Sequence, residues 1–241
     1  MHRSAPRLTR ILACAAVPVM LVVAGCSSDS DGGSATPDKG KGSASATPSP
    51  QQSTKTVEPA KFAKLPDVCK SISAKTTASL VPKAKTKNGT AAASSDTDSR
   101  GGCSWNGLDD KGVKGSQYRW LDVSFYRYTS DASLGSGEQR AQENFAKELA
   151  KVQAAEGAKK VKTADGSGIG DQSKTVTYEL KKTDEDFEYA SVVARTGNVL
   201  VLLTYNGAGY AGADGPSDKT MMDGAVKASK EAVAAVAAAN K

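Results

Sequence analysis

Val199 to Tyr205 reads Val-Leu-Val-Leu-Leu-Thr-Tyr and is apolar at nearly every position. A strand-length run without alternation fits a strand buried on both faces, so it belongs at the centre of a sheet. Gly197-Asn198 before it has the chemistry of a hairpin turn. Phe187 to Arg195 supplies the preceding strand, and Val176, Tyr178 and Leu180 share one face of another.

The rest of the domain is read against that strand. Cys103-Ser104-Trp105 begins a sheet, and Gln117 to Tyr128 is the clearest alternating strand. Its Leu121, Val123 and Phe125 fall on one face by period two. Tyr118, Trp120, Tyr126 and Tyr128 fall on the other, with Asp122 and Ser124 between them. Aromatic rings with polar tips are common at binding sites, so these four form the candidate binding face. The competing expectation is that a helix or loop covers them.

Three helices are expected. The first runs near Ser71 to Leu80, with Ser71 as N-cap and Pro82 as stop. The second runs from Glu138 to about Ala155, where Ala141, Phe145, Leu149 and Val152 form one stripe. The third spans about Asp218 to Ala239, with Met222, Val226, Ser229, Val233 and Val236 facing the sheet. Residues 82–102 read as a long mobile loop with Lys83, Lys85 and Lys87 in solvent, and Gly207 to Gly215 as a second loop. The order α-β-β-α-β-β-β-α, with neighbouring strands joined by short turns, predicts an α+β fold: a mostly antiparallel sheet with helices packed against it.

The N-terminus is of another kind. Arg3, Arg7 and Arg10 precede an apolar stretch, Ile11 to Gly25, and no acid lies among them. A stretch of about fifteen residues has the length of a signal core, whereas a spanning helix needs roughly twenty. Val23-Ala24-Gly25-Cys26 then resembles a lipobox, with Val23 where the pattern prefers Leu. That resemblance implies cleavage before Cys26 and a diacylglyceryl group on its thiol; two acyl chains give lasting attachment where one binds marginally. A plain secretory signal and a short core helix are the alternatives. Ser27 to about Pro59 is Ser, Thr, Gly, Pro, Asp, Gln and Lys with almost no apolar residue, the composition of a flexible tether. The expected organisation is a signal over 1–25, a lipidated tether over 26–59 and one α+β domain over 60–241.

Counts then exclude chemistry. The formal charge is +6, and residues 60–241 hold 26 Lys and Arg against 22 Asp and Glu. This mild surplus falls well short of a nucleic-acid-binding signature, so no nucleic acid is expected as partner. The one histidine is His2, which leaves with the signal. Without it no Ser-His-Asp triad, Cys-His pair or His-based zinc site can form. Of four cysteines, Cys14 lies in the signal and Cys26 takes the lipid, leaving Cys69 and Cys103. In an oxidising compartment an even pair without C-x-x-C spacing reads as a structural disulfide, with a redox-active pair as the alternative. Its loop of 34 residues corresponds to roughly 3.8 kcal/mol on the chain-entropy estimate. Gly166-Ser167-Gly168-Ile169-Gly170-Asp171 has phosphate-loop spacing, but it precedes a strand and opens no helix, so a tight turn is expected. No catalytic, cofactor or metal site is expected.

The lipobox, the tether, a helix opened by Cys69, the Cys103-Ser104-Trp105 strand, Gly168-Ile169-Gly170-Asp171 and Arg195-x-Gly197-Asn198 occur in that order. In this the chain resembles small actinobacterial lipoproteins that carry a domain of unknown function, over most of its length after Cys69. The resemblance implies an exported, lipid-anchored domain near the PsbP-like fold of other such lipoproteins, on the extracytoplasmic face of the cell membrane. That family has no established active site, so no catalytic residue is transferred. The expected function is a non-catalytic module that binds a small ligand or an envelope protein. An accessory subunit of an envelope complex and a two-carboxylate hydrolase are the alternatives.

Overall fold

The computed structural model describes residues 56–241. The expected signal, Cys26 and the tether up to residue 55 lie outside the described residues. Seven strands form one sheet: β1 (Thr90–Ala91), β2 (Arg100–Asp109), β3 (Ser116–Arg127), β4 (Lys159–Asp165), β5 (Gln172–Lys182), β6 (Glu185–Thr196) and β7 (Val199–Tyr210). Their spatial order is β1-β2-β3-β7-β6-β5-β4, and every pairing is antiparallel. Three helices pack on it: α1 (Ala74–Leu80), α2 (Gly137–Gln153) and α3 (Asp218–Ala239). This is the expected α+β fold.

The apolar run lies in β7, the middle strand of the seven. Val199, Val201, Leu203 and Tyr205 face the main core with α3, while Leu200 and Ala208 face the opposite side, where Leu200 meets α2 through Ala141 and Phe145. Cover on both sides is why β7 shows no alternation. β3 lies beside β7 and has its main-core face alone sealed: Leu121, Val123 and Phe125 are fully buried, and the residues between them are half-buried or exposed.

Several details differ from the expectation. Two strands were not anticipated. β4 is exposed at all seven positions and carries three lysines, the usual guard of a sheet edge, so no burial period marks it. β1 lies inside residues 82–102, which dock along β2 through Lys85 N–H to Asn106 O (2.9 Å) and Ala92 N–H to Gly102 O (2.9 Å). The cap of α1 is Ser73, whose Oγ accepts from Thr76 N–H; Ser71 closes the preceding 3-10 turn by donating to Val68 O at 2.7 Å. β7 continues through Gly207 and Gly209, which the sequence placed in a loop. A side chain at Gly207 would meet the Tyr118 carbonyl and the Arg119 side chain. The Cys69–Cys103 disulfide is present, with a Cα–Cα distance of 5.2 Å, and ties that 3-10 turn to β2.

The buried stripe of α3 also differs. Met221, Gly224, Ala225, Ala228, Ser229, Ala232 and Val236 are buried, and the expected Met222, Val226 and Val233 flank them. Small residues let the helix approach the sheet closely. A Cβ at Gly224 would lie 2.8 Å from both Tyr205 Cε1 and Leu80 Cδ2. A second contact closes the other end. Asn198, fully buried, accepts from Phe62 N–H (2.8 Å) and donates to Phe62 O (3.0 Å) and Tyr128 O (2.8 Å). One amide thus joins the β6–β7 turn, the end of β3 and the segment entering the domain.

Two outcomes are expected in thermal or denaturant unfolding. Asn198→Ala strands two buried main-chain groups of Phe62 and the partly buried Tyr128 carbonyl, and costs about 2–4 kcal/mol. Gly224→Ala, which in an ordinary helix interior stabilises by about 1 kcal/mol, here destabilises by about 1–3 kcal/mol through overpacking. A Gly224→Ala chain at least as stable as the parent would show that α3 does not sit this close to Tyr205.

Candidate functional site

The α2-side face of the sheet is assembled by register. Asn106 of β2, Trp120 of β3 and Asn206 of β7 are direct neighbours across three strands. One step along, Ser104, Asp122, Thr204 and Ser191 make the next row, with the Ser191 and Thr204 hydroxyls 3.0 Å apart. A polar lane therefore crosses the sheet between two clusters of rings and aliphatic side chains. At one end Tyr118 meets Phe187 edge-on (5.9 Å), and Tyr178 stacks on Tyr189 (4.8 Å). At the other, Tyr126 and Tyr128 pack with Phe145 and Leu200.

The four expected aromatic residues thus share a face, and the structure brings them to two separate places. Tyr126 and Tyr128 lie beside α2, as the covered alternative anticipated. Tyr118 is partly enclosed by Phe187, which also meets Tyr210 edge-on. Trp120 is 39% exposed and the diagonal Leu108 43%. Exposing a large ring from an interior strand forgoes roughly 25 cal/mol for every Å² left in water, so nothing about stability calls for Trp120 there.

The Oδ1 of Asn206 is buried with no hydrogen-bond donor. Burial raises the Asp122 carboxyl above its ordinary range, with Ser124 opposing the shift. Burial likewise raises the Tyr118 hydroxyl, with the Asn106 amide opposing. The exposed Trp120 and Leu108 offer apolar contact, and the half-buried Asn106 and Asp122 beside them offer donors and acceptors that fix orientation, while Asn206 is buried beneath. Asp122 and Ser124 were read from the alternation. Asn106 and Asn206 were not, because only the register brings them beside Trp120.

Other features are structural. The glycine-rich run is the expected turn between β4 and β5. There Gly168 and Gly170 hold φ of +66° and +65°, and Asp171 Oδ2 accepts from Gly197 N–H at 2.6 Å, docking the turn on the β6–β7 hairpin. The indole N–H of Trp105 is also buried without an acceptor, and the residue lines a cavity of about 340 Å³ beside α1. Among the described residues, no group of three or more His, Cys, Asp or Glu is placed to hold a metal.

One carboxylate pair stands out. Glu179 and Glu188 face one another across β5 and β6, and Lys160 Nζ lies 2.6 Å from Glu179. Burial, then the Glu179 and Asp218 charges, pushes the Glu188 carboxyl up to about 7. Comparison with protein-family models, curated sequences and solved structures returned no match.

The Glu188 carboxyl gives a pH prediction. Its folded value lies above the ordinary 4.5, so its contribution to stability is complete below pH 4.5 and is lost as pH rises through about 7. Unfolding midpoints of the parent should fall relative to Glu188→Gln over that window, and the two should converge below it. Parallel curves from pH 4 to 8 would contradict the shifted carboxyl.

Proposed function

We propose that the chain is an extracytoplasmic lipoprotein whose domain is a non-catalytic binding module. The export signal is cut before Cys26, that cysteine carries the lipid, and residues 26–59 tether the domain to the outer face of the cell membrane. The contact surface is the open α2-side face of β2, β3 and β7 around Trp120. The observation that carries this reading is the half-exposed Trp120, bordered by Asn106 and Asp122 on β2 and β3, strands to whose α2-side face around it no helix among the described residues packs. The absence of histidine after residue 2 and the lack of a recognisable catalytic motif support a binding role over catalysis. Among the described residues no helix is long and apolar enough to cross a membrane, which is compatible with attachment through a lipid.

The anchoring half is tested by metabolic labelling with palmitate. The parent should carry label in the membrane fraction, and Cys26→Ala should lose it and leave that fraction; a Cys26→Ala chain that still takes label would refute lipidation. The binding half has a convenient reporter, because the chain has only two tryptophans and Trp105 is sealed in the core. Envelope fractions that contain the ligand should shift Trp120 emission. Asn106→Ala should weaken that response about tenfold or less, as expected for one or two hydrogen bonds. Emission unchanged by every fraction would count against the face as the contact surface.

A further inference from the structure

Three arginines stand around the second aromatic pair. Arg100, in β2, pairs in register with Tyr126. Arg127 follows Tyr126 in β3, and Arg140 lies near the start of α2. With Tyr128, Ser99, Thr129 and Asp96 they border an open cavity of about 190 Å³. That is room for about six waters at roughly 30 Å³ each. A second hollow of about 330 Å³ shares Asp96, Arg100 and Tyr126 and continues past Gly102 and Ser124.

Two of these arginines are fixed by main-chain carbonyls. Arg140 Nη1 donates to Thr129 O at 2.6 Å, and its guanidinium lies 5.8 Å from the centre of the Tyr128 ring. Arg127 Nε donates to Asp98 O at 2.9 Å. Neither contact neutralises charge. Among the described residues the only arginine in an ion pair is Arg195, with Asp171, away from this pocket. Two carboxylates offset part of this charge: Asp96, which lines the pocket and accepts from Ser99 N–H, and Asp131, whose carboxyl is held low by Ser133 and Leu134 and, less, by the Arg140 charge; Glu148, which faces Tyr128, is held by Lys151 at 2.7 Å. Arg140 also stands near the positive end of the α2 dipole, where an anion is favoured and a cation is not.

We propose that this pocket binds the phosphate group of an envelope ligand. Guanidinium groups donate only, and the Tyr126, Tyr128, Ser99 and Thr129 hydroxyls can donate as well. A donor-rich set with the Arg100 and Arg140 guanidinium groups, and one carboxylate, Asp96, at the border, keeps a positive surplus that matches a tetrahedral oxyanion with several acceptor oxygens. A single carboxylate would satisfy one guanidinium edge and leave the others without a partner. The phosphate can belong to a lipid headgroup or to a free or sugar-linked phosphate; the recognition chemistry is the same. The proposal does not rest on the Trp120 surface. Six residues separate Trp120 from Tyr126, about 20 Å at roughly 3.3 Å per residue.

The test is calorimetric titration of inorganic phosphate into the full chain, held in dodecyl maltoside micelles, which carry no phosphate, at low ionic strength. Saturable binding is expected that weakens as sodium chloride is added. Arg100→Gln and Arg140→Gln should each reduce affinity about tenfold or more, while Trp120→Ala leaves it unchanged. Arg100 is exposed and its side chain makes no hydrogen bond or ion pair given by the structure, so Arg100→Gln decides the matter if Arg140→Gln disturbs α2. A parallel titration uses micelles that include phosphatidylglycerol. Reduced phosphate affinity there supports the site with a headgroup as the source, and unchanged affinity supports it with a free or sugar-linked phosphate. No binding, or equal binding by the parent and Arg100→Gln, overturns the proposal.

Discussion

The structure depends on β7 being buried on both faces. A central strand with Leu200 and Ala208 on one side and Val201, Leu203 and Tyr205 on the other needs cover above and below. The main-core side is closed by α3, whose small residues bring it close to the sheet, with α1 packed against it. On the other side, among the described residues, α2 is the one helix that packs. A helix with its side chains is about 10 Å across, and strands lie about 4.8 Å apart, so one helix shields two or three strands. α2 spends that cover on β5, β6 and β7. The face of β2 and of most of β3 on that side is left open as a geometric consequence.

What occupies the open region follows from the same arrangement. At the two ends of the face, rings and aliphatic side chains bury one another. Between them the sheet changes to Ser104, Asp122, Thr204 and Ser191, which are short and polar and build no core. Trp120 stands at the edge of this lane without a ring to enclose it. Tyr126 and Tyr128 reach the α2 side, and there Arg100 and Arg140 meet where the β2 and β3 ends approach the start of the helix, with Arg127 at the strand end beside them. Two chemically different surfaces therefore lie on one sheet face.

Much of this was legible in the residues, and the limits have physical causes. β7 was readable because cover on both faces removes alternation, and β3 because cover on one face imposes it. α2 was readable because one stripe, Ala141 to Val152, bears all its packing. The disulfide followed from arithmetic on four cysteines. β4 was invisible because an edge strand of exposed lysines buries nothing and so carries no period. The α3 stripe differs from its large aliphatics because close packing on the sheet selects Gly224, Ala225, Ala228 and Ala232. The aromatic face was correct as a set of neighbours on one strand. It did not show that two members pack beside a helix, nor that Asn106 and Asn206 flank Trp120, because register is a property of strand pairs and no single strand encodes it.

The central claim is that the face around Trp120 meets the partner. The direct measurement is site-specific photocrosslinking in intact envelopes, with a benzophenone side chain at position 120. The same probe at position 161, exposed on β4 at the far edge of the sheet, serves as the reference. The account predicts a discrete adduct from position 120, protein or small molecule by mass spectrometry, and none from position 161. Equal adducts from both positions, or an adduct from position 161 alone, would contradict it.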